Sequence, residues 1–277
     1  MDFWTAFSQN IFTQIIGTIL LTFGAQLLLR QFTGRLVRRA VRSHHYQNAA
    51  EERQREDTLI SILNTAGAVL VWTIGVIAVL NLFNVNVGAL LTGAGLLGIV
   101  IGFGAQNTVK DFLSGMFIIL ENQYRVGDIV TIGTISGMVE GISIRLTKLR
   151  DLDGTLHFIP NGAVNIVSNL TFGYANVNIN IGVGYDSDIK KVENVINKVG
   201  EELASDNEWK KSIMEPIQFL RVDSFDDSAV TVKALGKVMP ATQWDVAGEF
   251  RKRVKVAFDK NGIVIPFPQR VIHQARK

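Results

Sequence analysis

Apolar residues fill two stretches of this chain so completely that no Asp, Glu, Lys or Arg interrupts residues 3–29 or 58–109. A bilayer-spanning helix needs about 20 predominantly apolar residues. The first stretch therefore predicts one span, at 11–29, and the second predicts two, at 59–80 and 88–120. Thr13, Gln14, Thr18, Thr22 and Gln26 make the first span weakly hydrophobic, and Asn81, Asn84 and Asn86 mark a short turn between the other two. The third reaches about 50 Å at ~1.5 Å per residue, against a hydrocarbon core of ~30 Å. Gln106, Asn107, Thr108, Lys110 and Asp111 need polar partners that lipid lacks, so a bend is expected near 107. Beyond it, Phe112, Leu113, Met116, Phe117 and Leu120 recur at helical spacing, the pattern of an amphipathic helix along the membrane surface.

From Val126 the period changes to two. β-branched runs broken by Gly127, Gly133, Gly137, Gly141 and Gly154 predict short strands with tight turns, hence a small β-barrel over 121–170. Alternating element types follow: strands at 177–183, 217–222 and 229–238, helices at 187–204 and 244–259. This order predicts a ferredoxin-like α+β domain over 171–265. Pro266 and Pro268 end the regular pattern, and 266–277 is left for one last strand. The fold class is therefore membrane α-helical, with three spans in 1–120, followed by a small β-barrel and an α+β domain.

Charge supplies orientation. Five arginines, Arg30, Arg35, Arg38, Arg39 and Arg42, follow the first span with no acid among them, whereas only Asp2 precedes it. Basic short loops stay on the cytoplasmic side, so the N-terminus is expected outside and everything after residue 120 in the cytoplasm. Lipid headgroups are the expected counter-ions of this basic loop; a nucleic-acid partner is not expected, because the arginines directly follow a span. The first apolar run lacks a basic leader and a small-residue cleavage site, so it reads as a retained span, not a signal peptide. The net charge is only +3, and the absence of cysteine removes disulfides and thiolate chemistry.

Glycine carries the candidate chemistry. Gly93, Gly95, Gly98, Gly102 and Gly104 crowd a segment that must be helical to cross lipid, although each weakens a helix by up to ~1 kcal/mol. Close approach of neighbouring helices is the compensating reason. Stepping about 100° per residue from Gly95 at zero puts Ala94, Gly98 and Gly102 at about −100°, −60° and −20°, one smooth groove. Leu96 and Val100 fall at about 100° and 140°, as knobs, with Ile99 and Phe103 between, at about 40° and 80°. In a symmetric ring, knobs of one subunit enter grooves of the next and Ile99 and Phe103 face the axis, where stacked apolar rings exclude water. Periodicity alone equally allows a glycine-rich helix packed inside a single-chain bundle.

Other motifs are weaker. Gly93 to Gly98 satisfies G-x-G-x-x-G, yet no strand precedes it, and no phosphate-binding loop occurs. His44 and His45 read as solvated loop residues, and the groups Asp151/Asp153 and Asp223/Asp226/Asp227 as turn formers. Lys110 and Asp111 are a candidate pair beside the bend. No catalytic constellation, metal site or cofactor is expected. A membrane-anchored scaffold is the second class of reading; a secondary transporter would show an internal repeat or charged midplane helices, neither visible in the sequence.

The blocks Gly98-Ile-Val-Ile-Gly-Phe-Gly-Ala-Gln-Asn107, Asp111-Phe-Leu-Ser-Gly115, Tyr124-Arg-Val-Gly-Asp128, Gly137-Met-Val-Glu140 and Ile159-Pro-Asn-Gly162 resemble the small-conductance mechanosensitive channel (MscS) family in order and spacing. The resemblance implies a homoheptamer in the bacterial inner membrane, opened by membrane tension to release ions and small osmolytes. It implies a pore lined by the third helix, with apolar rings at Ile99 and Phe103, a cytoplasmic vestibule, and a C-terminal barrel of one strand per subunit. It places a kink at Gly115, and a bend beside Gln106 where Asn107 replaces the glycine common in the family. The basic loop and first two helices resemble a tension-sensing paddle.

Overall fold

The computed structural model describes residues 11–41 and 49–270. The chain divides into two compact units, Met1–Gly104 and Ala105–Lys277, with one helix running through the division.

The first unit contains α1 (Ile11–Val41), α2 (Ala49–Leu82) and the start of α3 (Gly88–Leu120). Among the described residues, three helices are long and apolar enough to cross a membrane: Ile11–Arg39, Arg53–Leu82 and Gly88–Leu120. α1 and α2 pack as an antiparallel hairpin. A Cβ built on Gly75 would lie 2.7 Å from Thr22 Oγ1, and one on Gly67 would collide with Leu29, so small residues on α2 admit side chains of α1. The α1 face turned to α2 is polar, with Thr22, Gln26 and Thr33 buried. Thr18, Thr22 and Thr33 each donate to the carbonyl four residues back at 2.7–2.8 Å, leaving no hydroxyl proton bare in lipid.

Both helices outrun their apolar segments. Arg30, Arg35, Arg38 and Arg39 were expected in a loop after residue 29; they lie exposed on α1, and Arg42 lies outside the described residues. The reason is physical: charge marks where lipid ends, whereas a helix ends where propensity fails, and arginine favours helix. Arg38 and Arg39 also occupy the last turn, where cations interact well with the helix dipole. Between α2 and α3, Asn84 adopts a left-handed conformation at φ 54°, and the Asn86 carboxamide accepts the Gly88 N–H at 2.9 Å, capping α3.

The second unit begins with the end of α3 and a five-stranded antiparallel sheet: β1 (Ile129–Ile132), β2 (Ile135–Ile142), β3 (Leu146–Arg150), β4 (Leu156–Pro160) and β5 (Val167–Asn169), in the order β4-β3-β2-β1-β5. The meander returns its last strand to its first through a 3₁₀ turn at Asn161–Ala163, an SH3-like order. Its core is Tyr124, Val130, Ile132, Val139, Leu149 and Ile159, joined by Ile118 of α3. The β3–β4 turn is built as its sequence suggests: Asp151 Oδ1 accepts the Thr155 N–H at 2.8 Å, and Gly154 takes φ 84°.

The remainder is β6 (Ala175–Val183), α4 (Ile189–Ser205), β7 (Ile213–Phe225), β8 (Val230–Val238) and α5 (Gln243–Asn261), with sheet order β6-β8-β7. This is the ferredoxin-like order without its last strand. The tail occupies that place beside β6, where Gly184 N–H donates to Val264 O at 3.0 Å. Strict alternation buries Val177, Ile179, Ile181 and Val183 of β6 against Val192, Ile196, Val199 and Leu203 of α4 and Val246, Phe250, Val254 and Phe258 of α5. Asp223 is not in a turn as expected; it lies in β7, held at 3.0 Å by Lys233 and at 2.9 Å by Arg221. The final strand expected at 266–277 falls mostly on 271–277, outside the described residues.

Candidate pore-lining helix

α3 carries two segments held in different ways. In the membrane unit its side chains are almost all exposed within the chain, Ile99 and Phe103 at 57% and 73%, with Leu96 and Val100 similarly open. Among the described residues, a Cβ built at Gly93, Gly95, Gly98, Gly102 or Gly104 meets nothing within 4 Å. One face of α3 borders α2 across a groove of about 640 Å³, lined by Val69, Trp72 and Val76 on α2 and Gly93, Ala94 and Leu97 on α3. On the helical wheel, Gly93, Ala94 and Leu97 centre near −150°, with Gly95 at zero, whereas Ile99 and Phe103 centre near +60°, about 150° away. The two large apolar side chains therefore point away from the chain's own α2. Ala94, grouped with the glycine groove from sequence, borders this opening toward α2.

The cytoplasmic segment of α3 is anchored. Asp111, Gly115 and Ile118, one face at helical spacing, are its buried residues. Asp111 Oδ1 accepts the Gly162 N–H at 3.0 Å and Oδ2 accepts from Arg145 Nε at 3.3 Å. Lys110, the partner considered from sequence, is exposed on the neighbouring helical position, and adjacent residues on a helix do not face one another. A Cβ on Gly115 would collide with the Ile144 carbonyl and Asn161 Nδ2, and one on Gly162 would lie 2.6 Å from Asp111 Oδ1. Gly115 thus admits the β2–β3 turn; the helix is uninterrupted through it, and through Gln106 and Asn107.

Behind this junction lies a buried polar relay that sequence reasoning missed. Asn161, fully buried, donates to Ser143 O at 2.9 Å and accepts from Thr147 Oγ1 at 2.8 Å, and Thr147 Oγ1 meets Tyr124 OH at 2.9 Å. Burial raises the Tyr124 phenol pKa, partly offset by that hydrogen bond. The relay's two ends, Tyr124 and Asn161, fall in sequence blocks 124–128 and 159–162, and Thr147, which joins them, lies in neither.

Comparison with known proteins agrees with these segments. Family models match the mechanosensitive ion channel transmembrane helices 2/3 over residues 68–106, its β-domain over 107–172, and the MscS C-terminal domain over 177–265. A protein named small-conductance mechanosensitive channel, from Caldanaerobacter subterraneus subsp. tengcongensis, is 37% identical over 80% of this chain and 77% of its own length. The chain belongs to the MscS family. Another member, the moderate conductance mechanosensitive channel YbiO of Escherichia coli, is 34% identical over 76% of this chain but only 29% of its own length. The MscS crystal structure from Helicobacter pylori, described as closed, superposes with a TM-score of 0.73 at 22% identity, covering 97% of this chain and all of that one. Three apolar helices followed by β and α+β domains are thus the MscS fold, in a family of membrane channels.

Proposed function

We propose that this chain is one subunit of a homoheptameric channel of the bacterial inner membrane, opened by membrane tension and releasing ions and small osmolytes on hypo-osmotic shock. The observation that carries the reading is the contrast among its glycines. Those at 67, 75, 115 and 162 are filled by the chain's own atoms, whereas those at 93, 95, 98, 102 and 104 meet none among the described residues. Gly17, Gly24 and Gly34 of α1 are open too but scattered, and only on α3 do five crowd into about three turns. A helix that accepts this much loss of propensity needs a close neighbour, and the remaining neighbour is another copy.

In such a ring Gly95, Gly98 and Gly102 receive Leu96 and Val100 of the next subunit, and Ile99 with Phe103 form the constriction. A narrow apolar passage need not be plugged, because it can exclude water and with it ions. The bend expected near Gln106 and Asn107 falls just past Gly104, where α3 enters the unit that fixes Asp111 and Gly115. With the N-terminus outside, Arg30, Arg35, Arg38, Arg39 and Arg42 meet cytoplasmic-leaflet headgroups. Tension does work on whichever state has the larger area in the membrane plane, the differential free energy that gating requires. Patch recording of the purified protein in liposomes under suction tests this. Stretch-activated currents are expected, and silence at every tension short of rupture refutes it.

A further inference from the structure

The ferredoxin-like sheet covers one face with α4 and α5 and, among the described residues, leaves the other bare. The bare face is polar and of mixed charge: Asn176, Asn178 and Asn180 alternate along β6, opposite Lys237, Leu235 and Lys233 of β8. At one end, one row crosses all three strands, Asn176 paired with Lys237 and Lys237 with Glu215. Lys237 Nζ lies 3.6 Å from Glu215 Oε1 and 4.3 Å from the centre of the Tyr174 ring.

Here β7 departs from regular pairing. Its register to β8 shifts between Ile213 and Glu215 and again between Glu215 and Gln218, around Pro216, which has no N–H to give the ladder. Ile217 is fully buried. A Cβ on Gly236 would lie 2.6 Å from Ile217 Cγ1, and one on Gly200 would collide with its carbonyl, so the two glycines clamp the bulge. The displacement opens a cavity of about 520 Å³ lined by Tyr174, Asn176, Glu215, Gln218 and Lys237. Bulges commonly re-aim side chains next to functional sites.

We propose that this cavity binds a small zwitterion of the α-amino-acid class. Lys237 has three donors, and its ion pair with Glu215, at 3.6 Å, is longer than a hydrogen bond, so a carboxylate can join it between Asn176 and the edge of Tyr174. Glu215, 69% exposed, retains lone pairs for an ammonium group. A solute bearing both charges sets its dipole against the Lys237–Glu215 pair, whereas an ion of either sign meets one like charge. The site lies wholly within the second unit and does not depend on the pore assignment.

The test is an NMR saturation-transfer titration of the full-length protein in detergent with L-alanine, and with acetate and methylammonium as its two halves. Alanine is expected to bind at roughly millimolar level, with each half about tenfold weaker. Lys237→Met and Glu215→Gln each weaken it about tenfold, Asn176→Ala severalfold, and Lys237→Arg restores most of it. Acetate binding as well as alanine, loss confined to the lysine variant, insensitivity to all four changes, or no alanine binding below about 100 mM each overturns the proposal.

Discussion

Replacing Gly98 and Gly102 by leucine tests the ring with a sign that depends on where the helix sits. Within the chain neither position has an atom within 4 Å of a built Cβ among the described residues, so the substitution costs no intrachain packing. It removes two glycines from a helix, a gain of about 0.5–1 kcal/mol each. An isolated subunit should therefore be unharmed or slightly stabilised. If Leu96 and Val100 of the next subunit fill these positions, the added side chains overlap them. Overpacking costs about 1–3 kcal/mol per site, which at two sites in each of seven subunits reaches about 14–42 kcal/mol and outweighs the helix gain, about 7–14 kcal/mol over the same sites. Gly17 of α1 has equally open surroundings and serves as the control. Light scattering of the detergent-solubilised protein should find the double variant smaller than wild type, with helical content retained, and Gly17→Leu unchanged. A double variant with wild-type particle mass and tension threshold refutes the groove.

Phe103→Ser puts a hydroxyl in the proposed apolar constriction and should admit water, so channels in liposomes open at lower tension or conduct at rest; an unchanged threshold counts against Phe103 as gate. Asp111→Ala leaves the Gly162 N–H without its acceptor at a buried site, costing about 1–3 kcal/mol, while Arg145, 61% exposed, adds little. Asp111→Asn keeps an oxygen for that N–H and should unfold at a higher temperature than Asp111→Ala, so equal losses would refute the Gly162 contact as the source. Hydrogen bonds from His157 to Asp151, Arg253 to Asp206 and Lys233 to Asp223 hold these carboxyls below the ordinary aspartate value of 3.8. The unfolded chain then takes up protons at higher pH than the folded one, so their stabilisation is complete above that range and lost as pH falls through the lowered values. The unfolding temperature should be level near neutrality and fall below about pH 4, and a rise on acidification would contradict the assignment.

Most of the fold was legible because its periods are clean. β6 alternates buried and exposed as far as Ile181, and β8 alternates buried and half-buried, so both were readable from sequence. β7 runs from 213 to 225 where the apolar pattern indicates only 217–222, because bulges space its inward residues Ile217, Phe219 and Val222 unevenly. α1 runs past the charge boundary at Arg30 to Val41, because charge marks the end of the apolar segment and not of the helix. At the candidate site, spacing alone sets which α3 residues share a face, so the wheel could group Ile99 with Phe103 and align the glycines. Asp111 could not be paired in this way: its acceptor role depends on Gly162, brought to it by the turn of a different element. The blocks that carry the family resemblance are largely scaffolding. Gly137 makes room for the Arg150 carbonyl, Glu140 pairs with Arg150, and Asp128 Oδ2 accepts the Arg125 N–H at 3.0 Å.

A helical glycine in a membrane has three possible neighbours: its own chain, lipid, or another protein. Its own chain fills Gly67 and Gly75, which shows what intrachain helix packing looks like in this molecule. The third-helix glycines lack that filling, so the single-chain bundle that periodicity left open loses its support among the described residues. Isolated open glycines such as Gly17 of α1 need no such neighbour, but lipid, which fills any surface, supplies no reason to crowd five into residues 93–104 when alanine would serve better. A scaffold protein needing only an anchor would have the same freedom. What remains is a second rigid backbone approaching closely along α3. Because Ile99 and Phe103 point away from α2, a set of copies meeting through these glycines would enclose an apolar axis, the geometry from which a hydrophobic gate follows.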